Sequence, residues 1–310
     1  MYFLYLSIEF STEIDMSIKK IKSKENNIIK NKNSKFSFKD LNSIRSRIDL
    51  IDDNIHELLI NRAKLVEKVA KTKKSLMEKS LGLYRPDREH AILKRIISNH
   101  KGTFPVRSLV ASWSELFSGY RSMQGNLTIS FIKKNEMITK NHFGVSSRYL
   151  IRKNSDQIID SIIEKKADIG VLPFPNPRDR WCCRLINLKE LNIIGSMQDS
   201  SHSRKISRLL IIGKQKKVYS SSNMVLILLS IKNNYLAELK KFLDLNSFKL
   251  FNIFKIKQNK SMILVGFHSL KDKDISNKLS ILKTKSNPEI KLQTVILGGF
   301  EYEEVFKIDK

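Results

Sequence analysis

The sequence is poor in cysteine. Only two of its 310 residues are cysteines, Cys182 and Cys183, and they are neighbours. Adjacent cysteines rarely form a structural disulfide because the geometry is strained, and a metal site would need further ligands close to them. We therefore expect two reduced thiols beside Trp181, with no disulfide framework and no metal.

Long apolar runs are also lacking. The start of the chain, 1–8, has apolar character but no basic region before it, and it is too short to span a bilayer. No later stretch reaches the length of a transmembrane helix. These absences favour a cytoplasmic protein without a membrane partner. Residues 17–37 are rich in Lys, Asn and Ser, so we expect 1–37 to be a disordered extension, with Met16 as the natural start.

Acidic residues are few relative to basic ones. The chain has 57 Lys and Arg against 31 Asp and Glu, a net charge of +26. Such an excess of positive charge can bind nucleic acid or an anionic surface. Here, however, the lysines are spread through all segments together with many Asn and Ile, and no basic motif has interleaved aromatic residues. The charge therefore indicates a compositional bias, and we expect no nucleic-acid partner.

A long amphipathic helix is predicted from Phe38 to about Lys74, before Gly82 and Pro86 break the pattern. Apolar residues recur in it at steps of mostly three and four, which is typical of one helix face. They are Phe38, Leu41, Ile44, Ile48, Ile51, Ile55, Leu58, Leu59, Val66 and Val69. At about 1.5 Å per residue this helix would span roughly 50 Å, so we expect it to need a partner helix from another chain.

Cationic residues accompany this apolar stripe. Arg62 and Lys73 are eleven positions apart, about three helical turns, and therefore project from nearly one face. Arg45 lies about a quarter turn away from that face, where it is better placed for a pocket in a second, antiparallel copy. The pattern predicts a site for an anionic small molecule inside a helical bundle.

Two shorter helices are predicted after the break. The first has Arg85, Arg88 and Glu89 at its head and ends near Asn99, and the second covers about 106–124. The residues of the second helix that we expect to face inward are Leu109, Trp113, Leu116, Phe117, Tyr120 and Met123.

The ordered motifs of segment 38–125 resemble the all-helical, AroQ-type chorismate mutase. They are Ile44–Asp52, Leu58–Arg62, Val69–Lys73 and Tyr84–Glu89. The resemblance implies an intertwined homodimer that rearranges chorismate to prephenate in aromatic amino acid biosynthesis. This rearrangement is unimolecular, so it requires no nucleophile, metal or other cofactor.

The same resemblance assigns roles to four residues that would grip the substrate dianion. Arg45 would cross the dimer interface to bind one carboxylate, and Arg62 would bind the other. Two such forked contacts can fold the substrate into a reactive geometry. Lys73 and Gln124 would donate hydrogen bonds to the ether oxygen of the breaking C–O bond, where negative charge develops.

The remaining site residues come from the second and third helices. By resemblance, Glu89 would hold the substrate hydroxyl and Arg88 would line the pocket. Tyr120 stands where the family often has a small hydroxyl residue, and Arg85 stands where it often has an acidic one. We expect both to border the substrate, and Tyr120 to crowd it.

Residues 126–218 change character to α/β. Strands are predicted at Leu127–Ile132, Ala167–Phe174 and Ile206–Ile212, with a loop leading to His142-Phe143-Gly144 and a helix at Ser155–Lys165.

Two fragments of this region, Ala167–Asn176 and Ile206–Leu210, resemble prephenate dehydratase. Pro175 replaces a glutamate of that family, and the segment is about half the size of a two-lobed dehydratase, whose active cleft lies between its lobes. We therefore expect a truncated region, in which Ser207 is either a catalytic hydroxyl or a strand-end residue.

Residues 219–310 are predicted to follow the order βαββαβ, which is ferredoxin-like. The predicted strands are Met224–Ile231, Phe248–Ile256, Ser261–Phe267 and Leu292–Leu297, and the helices are Tyr235–Leu245 and Ile275–Leu282. This segment resembles an ACT regulatory domain, with Val295–Phe300 as its closing strand. It has Asn233-Asn234 in place of the usual Pro-Gly, so a dimerising or structural role is at least as well supported as binding of phenylalanine, and both alternatives stay open.

In outline, the chain resembles a truncated mutase–dehydratase P-protein. The predicted fold is multi-domain: an intertwined all-α mutase domain, an α/β region and an ACT-like α+β domain. The predicted function is that of a chorismate mutase acting as a homodimer on chorismate. Two alternatives remain at this point: a bifunctional mutase and prephenate dehydratase, and a non-catalytic regulatory protein that senses an amino acid.

Overall fold

The structure is a computed structural model. It describes residues 38–75, 82–188, 190–199, 207–214, 224–257, 259–268, 272–284 and 292–300. The chain divides into two compact units, 1–62 and 63–310. The predicted disorder of 1–37 lies outside the described residues.

The predicted long helix is present as α1, Phe38–Ser75, and is unbroken over its 38 residues. Within the first unit its apolar stripe faces solvent. Six residues of the stripe expose 40–55% of their surface: Leu41, Ile44, Ile48, Ile51, Ile55 and Leu58. A helix whose apolar face is this open gains little from burial within its own unit.

The two shorter helices also form close to their predicted bounds. They are α2, Pro86–Asn99, and α3, Val106–Ser122. Pro86 occupies the first turn of α2, where its missing N–H costs no helical hydrogen bond. On α3 the predicted inward residues Phe117 and Tyr120 are buried, but Met123 is 40% exposed. The prediction for Met123 is wrong because α3 ends one residue before it.

A mixed sheet follows the helices, as the sequence predicted. Its first strands are β1, Thr128–Ile132, β2, Arg148–Arg152, and β3, Ile169–Pro173, which pair in parallel with β1 in the middle. The next two, β4, Asn192–Asp199, and β5, Ser207–Gly213, pair antiparallel with each other. β5 also pairs antiparallel with β3.

Two helices of this region lie between its parallel strands along the chain. The predicted helix appears as α5, Ser155–Ile163. The predicted loop before His142 is wrong, because residues 136–143 form α4, Glu136–Phe143, after a short 3-10 turn. Glu136 explains this helix: it lies in the first turn, where a carboxylate is favourable, and it pairs with Lys133 and Lys140.

The last part of the sheet shows the predicted βαββαβ order. Its elements are β6, Met224–Lys232, α6, Leu236–Leu245, β7, Lys249–Lys257, β8, Lys260–His268, α7, Asp272–Thr284, and β9, Gln293–Phe300. β6 lies between β9 and β8 and pairs antiparallel with both. Successive residues of β6 enter two different cores: Met224, Leu226 and Leu228 one, and Val225, Ile227, Leu229 and Ile231 the other. Burial on both faces explains why this strand is apolar without alternation.

One seam joins all nine strands into a single sheet, in the order β2-β1-β3-β5-β4-β9-β6-β8-β7. At this seam β4 pairs in parallel with β9 through Ile193 and Gly298. Gly298 has a φ of +136°, and a Cβ there would lie 2.0 Å from the Ile193 carbonyl oxygen. The close approach of the two strands therefore requires glycine.

Candidate active site

An ion pair between α2 and α3 includes Glu89, one of the predicted site residues. The guanidinium of Arg121 on α3 contacts Oε1 of Glu89 on α2 at 2.5 Å. The side chain of Arg121 is 5% exposed and that of Glu89 is 17% exposed, so water screens this pair little. A second guanidinium nitrogen of Arg121 donates to the carbonyl oxygen of Phe143 on α4, at 2.8 Å.

Aromatic residues enclose this ion pair. The Arg121 guanidinium carbon lies 5.9 Å from the ring centroid of Tyr84 and 5.8 Å from that of Phe143. The two rings meet edge to face. The Tyr84 hydroxyl and Nε2 of His142 share a hydrogen bond of 3.1 Å. The cluster thus links the segment before α2, both short helices and α4.

Burial controls the ionisation of this cluster. It raises the pKa of Glu89 above the ordinary value, and the charge and hydrogen bond of Arg121 only partly oppose that shift. Burial also raises the pKa of Tyr84 well above its usual range, with the Glu89 charge as the next cause. For His142, burial and the nearby Arg121 lower the pKa to about 4, so the imidazole is neutral at pH 7.

The other two predicted residues at the head of α2, Arg88 and Arg85, have different surroundings from Glu89. Arg88 is exposed. Arg85 donates two hydrogen bonds to Asp87, at 3.1 and 2.8 Å. Burial raises the pKa of Asp87, but the hydrogen bonds and charge of Arg85 outweigh it and hold the pKa below its usual value.

The end of α3 carries two more predicted residues. Tyr120 is buried, and the side-chain amide of Gln124 donates to its carbonyl oxygen at 3.2 Å. Because Tyr120 directly precedes Arg121, the structure brings Tyr120, Gln124 and Glu89 to the same end of α3.

Three of the predicted site residues, Arg45, Arg62 and Lys73, belong to α1. Arg45 is exposed and Arg62 is half-buried, and both lie in the first unit. The backbone of Lys73 belongs to α1, but its side chain lies outside the described residues. The roles given to these three residues therefore stay predictions.

Sequence reasoning missed Arg121, His142 and the role of Tyr84. For Arg121 a signal was available: it lies one turn after Phe117 and next to Tyr120, on the apolar face of α3. A cation on such a face needs a buried partner. His142 offered no comparable signal, because the helix that carries it was itself not predicted.

The residues that resemble dehydratase motifs make contacts within the fold. Oδ1 of Asn176 accepts from the backbone N–H groups of Arg178 and Asp179, which closes a tight loop. Arg208 donates to the Ser196 hydroxyl at 3.0 Å and lies over the ring of Phe300. The side chain of Ser207 lies outside the described residues.

Both cysteines are free thiols, and the hydrogen bond with Cys183, followed by burial, raises the pKa of Cys182 far above its usual range. Within the described ranges, no group of three or more His, Cys, Asp or Glu side chains is placed to hold a metal ion. No helix in the described part of the chain is long and apolar enough to cross a membrane.

Comparison with known proteins finds a family that the helical segment matches. Residues 44–125 match the sequence model of the family described as "Chorismate mutase type II". The chain is similar to the "Bifunctional chorismate mutase/prephenate dehydratase" of Aquifex aeolicus, with 28% identity over 145 residues, 44% of this chain and 39% of that protein. It is also similar to the protein of the same description from Neisseria gonorrhoeae, with 28% identity over 148 residues, 46% of this chain and 40% of that protein. The similar region thus spans about two fifths of the length of these relatives.

Solved structures are similar to the chain as well. The prephenate dehydratase of Streptococcus mutans aligns with 56% of this chain and 98% of its own, at 13% identity and a TM-score of 0.43. The prephenate dehydratase of Staphylococcus aureus aligns with 56% of this chain and 100% of its own, at 11% identity and a TM-score of 0.44.

The resemblance drawn from the ordered motifs is confirmed. The N-terminal side of the chain contains a segment that matches the type II chorismate mutase family, and the chain is similar to proteins described as bifunctional mutase–dehydratases.

Proposed function

We propose that this protein is a chorismate mutase that converts chorismate to prephenate in aromatic amino acid biosynthesis, without a cofactor. The observation that carries the proposal is the family match of residues 44–125, which covers all eight predicted site residues. The ion pair between α2 and α3 supports it, because it holds Glu89 at the end of α3 that also carries Gln124.

The proposed mechanism relies on position and charge. Arg45 and Arg62 bind the two substrate carboxylates and fold the enolpyruvyl arm over the ring. Lys73 and Gln124 donate hydrogen bonds to the ether oxygen. These two contacts strengthen as the C–O bond stretches and charge builds on that oxygen, so they lower the barrier more than they tighten binding.

Residues of α2 and α3 complete the proposed pocket. Glu89 accepts a hydrogen bond from the substrate hydroxyl. Arg88, whose side chain is exposed, lines the pocket. Arg85 borders the substrate while its guanidinium is paired with Asp87. Buried Tyr120 sets the width of the pocket at the end of α3.

We propose a homodimer in which Arg45 is donated across the interface. The apolar stripe of α1 supports this, because six of its residues expose 40–55% of their surface in a single chain. Covering such a stripe with the same stripe of a second copy removes apolar surface from water on both helices.

The later parts of the chain are proposed to be structural. The strand order β9-β6-β8-β7, with antiparallel pairing and two helices, supports a ferredoxin-like, ACT-like unit in residues 219–310. The description of the relatives favours one alternative, a bifunctional mutase–dehydratase. Against it, Asn176 and Arg208 are engaged inside the fold.

The test follows the disappearance of chorismate by absorbance with the purified full chain. A Lys73→Ala variant should lose about 100-fold to 1000-fold in kcat, because it removes one donor to the developing charge. Lys71→Ala is the matched control, since Lys71 is an exposed lysine of the same helix, and it should keep the wild-type rate.

Four outcomes separate the candidates. Loss of chorismate that depends on Lys73, with prephenate accumulating, would support a monofunctional mutase. Phenylpyruvate formed from prephenate above the uncatalysed rate would support the bifunctional alternative. Wild-type turnover by the Lys73→Ala protein would refute the assignment of the site, and no turnover by the wild-type chain would refute the function.

A further inference from the structure

Arg121 connects the mutase segment to the α/β region. It is on α3, yet its guanidinium contacts Glu89 on α2 and the Phe143 carbonyl on α4. Only 4% of Arg121 is exposed, and rings of Tyr84 and Phe143 lie beside its guanidinium. The planar guanidinium can hold both partners at once because its donors diverge in a fixed fork.

The contact with Glu89 uses one carboxylate oxygen. Among the described residues, the hydrogen bond of the Glu89 side chain involves Oε1. The other oxygen, Oε2, is the acceptor available for a substrate hydroxyl. A carboxylate fixed by a charged hydrogen bond on one oxygen presents its other oxygen in a defined direction.

We infer that Arg121 is a positioning residue, which is anchored on the Phe143 carbonyl of the α/β region and holds the Glu89 carboxylate in place to meet the substrate hydroxyl. The inference rests on the proposed function, from which the role of Glu89 comes. Arg121 itself touches no reacting atom. Its effect on the rate passes through Glu89 alone.

This arrangement makes the α/β region part of the mutase. The Phe143 carbonyl belongs to the last residue of α4, and α4 leads from β1 toward β2. The region that resembles half of a dehydratase thereby supports the pocket of the other activity. A chain could keep this region for mutase turnover alone, without any dehydration of prephenate.

The ionisation of Glu89 provides a readout that a general loss of structure would not change. The groups that face it are Arg121 from α3, Asp87 from its own helix and Tyr84 from the preceding segment, with His142 of α4 hydrogen-bonded to Tyr84. Removing Arg121 leaves Glu89 buried without its cation, so the pKa of Glu89 should rise further. An ionised Glu89 is the form that accepts the substrate hydroxyl. The acidic limb of the pH profile of kcat/KM should therefore move to higher pH.

The experiment measures kcat/KM for chorismate from about pH 5 to 9 in the full chain. Arg121→Met should lower kcat/KM by about 100-fold at neutral pH, the size expected when a catalytic group is displaced by about 1 Å. Its acidic limb should lie at higher pH than that of the wild type. Arg121→Lys keeps the positive charge but loses the forked guanidinium. Its kcat/KM and the pH of its acidic limb should both lie between those of the wild type and those of Arg121→Met.

Arg184→Met is the matched control. Arg184 also pairs with two groups inside the α/β region, the carboxylates of Asp156 and Asp160, but lies outside the proposed pocket. Its variant should stay within about twofold of the wild type, with an unmoved acidic limb.

A double variant covers the case in which Arg121→Met fails to fold. Arg121→Met combined with Glu89→Gln removes both charges and leaves no buried ion without a partner. If Arg121 acts only through Glu89, this protein should turn over chorismate as fast as Glu89→Gln alone.

Two results would overturn the inference while the proposed function stands. One is an Arg121→Met protein with wild-type kcat/KM and an unmoved acidic limb. The other is a double variant about 100-fold slower than Glu89→Gln, since Arg121 would then act independently of that carboxylate. A wild-type chain without turnover would overturn both proposals together.

Discussion

Replacing Gly298 with alanine should destabilise the sheet at the seam between β4 and β9. In the structure Gly298 has a φ of +136°, which side chains rarely adopt. A Cβ at this position would lie 2.0 Å from the carbonyl oxygen and 2.7 Å from the nitrogen of Ile193. Both are backbone atoms, so no side-chain rotation can relieve the overlap.

The size of the effect follows from two costs. A non-glycine residue in this backbone region costs about 1–3 kcal/mol. Moving one strand to admit a methyl group in a packed sheet costs about 1–3 kcal/mol more. Their sum, about 4 kcal/mol, is a large share of the total stability of about 5–15 kcal/mol that is ordinary for a folded protein. It should lower the Tm by about 10 °C in a unit of this size.

Thermal unfolding of the full chain, followed by far-UV circular dichroism, measures this change. Gly195→Ala is the matched control on β4, the strand that pairs with β9, because the Cβ of its alanine would meet only ordinary contacts, the nearest at 3.4 Å to Pro86. We expect the Gly195→Ala protein to melt near the wild type and the Gly298→Ala protein well below both. Equal melting of the two variants would refute the reasoning that the seam requires glycine.

Two further predictions concern buried contacts. The pKa of His142 is about 4 in the folded protein and about 6.5 in an unfolded chain, so the neutral ring contributes stability above pH 6.5 that is lost as the pH falls toward 4. Urea unfolding at pH 7 and 4.5 should show a loss about 2.5 kcal/mol larger in the wild type than in His142→Gln, and parallel losses would contradict the pKa. Trp181→Phe should cost about 2 kcal/mol in the same assay at pH 7, because the buried indole N–H donates to the Pro173 carbonyl at 2.8 Å, and an unchanged midpoint would show that this bond contributes nothing.

Elements with a strong local pattern could be predicted from the sequence. The apolar stripe of α1 recurs in steps of mostly three and four from Phe38 to Val69, and β6 is apolar along almost its whole length, so neither pattern fits another structure well. Short elements escaped prediction. α4 has only eight residues and is stabilised by the charges around Glu136, and β2 begins and ends with arginine on an edge of the sheet. Such elements depend on pairs and neighbours more than on periodicity.

The candidate site shows the same contrast between residues in a local sequence pattern and residues that only the fold brings together. Residues that a family motif holds at fixed spacing, such as Arg88, Glu89 and Gln124, could be proposed as site residues from their position in the chain. Arg121 could be noticed as a cation on the apolar face of α3, but its partners could not be predicted, because they are 32 and 22 positions away and only the fold brings them to it. A buried ion pair is a property of three-dimensional packing, which single-sequence patterns do not encode.

The same kind of distant contact joins the last strands to the middle of the chain. Arg180 donates to the carbonyl of Lys255 at 2.9 Å, and the side-chain amide of Asn252 donates to the carbonyl of Pro175 at 2.7 Å. These bonds fasten the loop after β3 to the edge strand β7, in addition to the seam at Gly298. Without β9, β4 would be an open edge of the sheet, and unpaired edge strands invite association with other chains. In this sheet β9 covers that edge, which gives the C-terminal strands a structural reason to be retained even if they bind no amino acid.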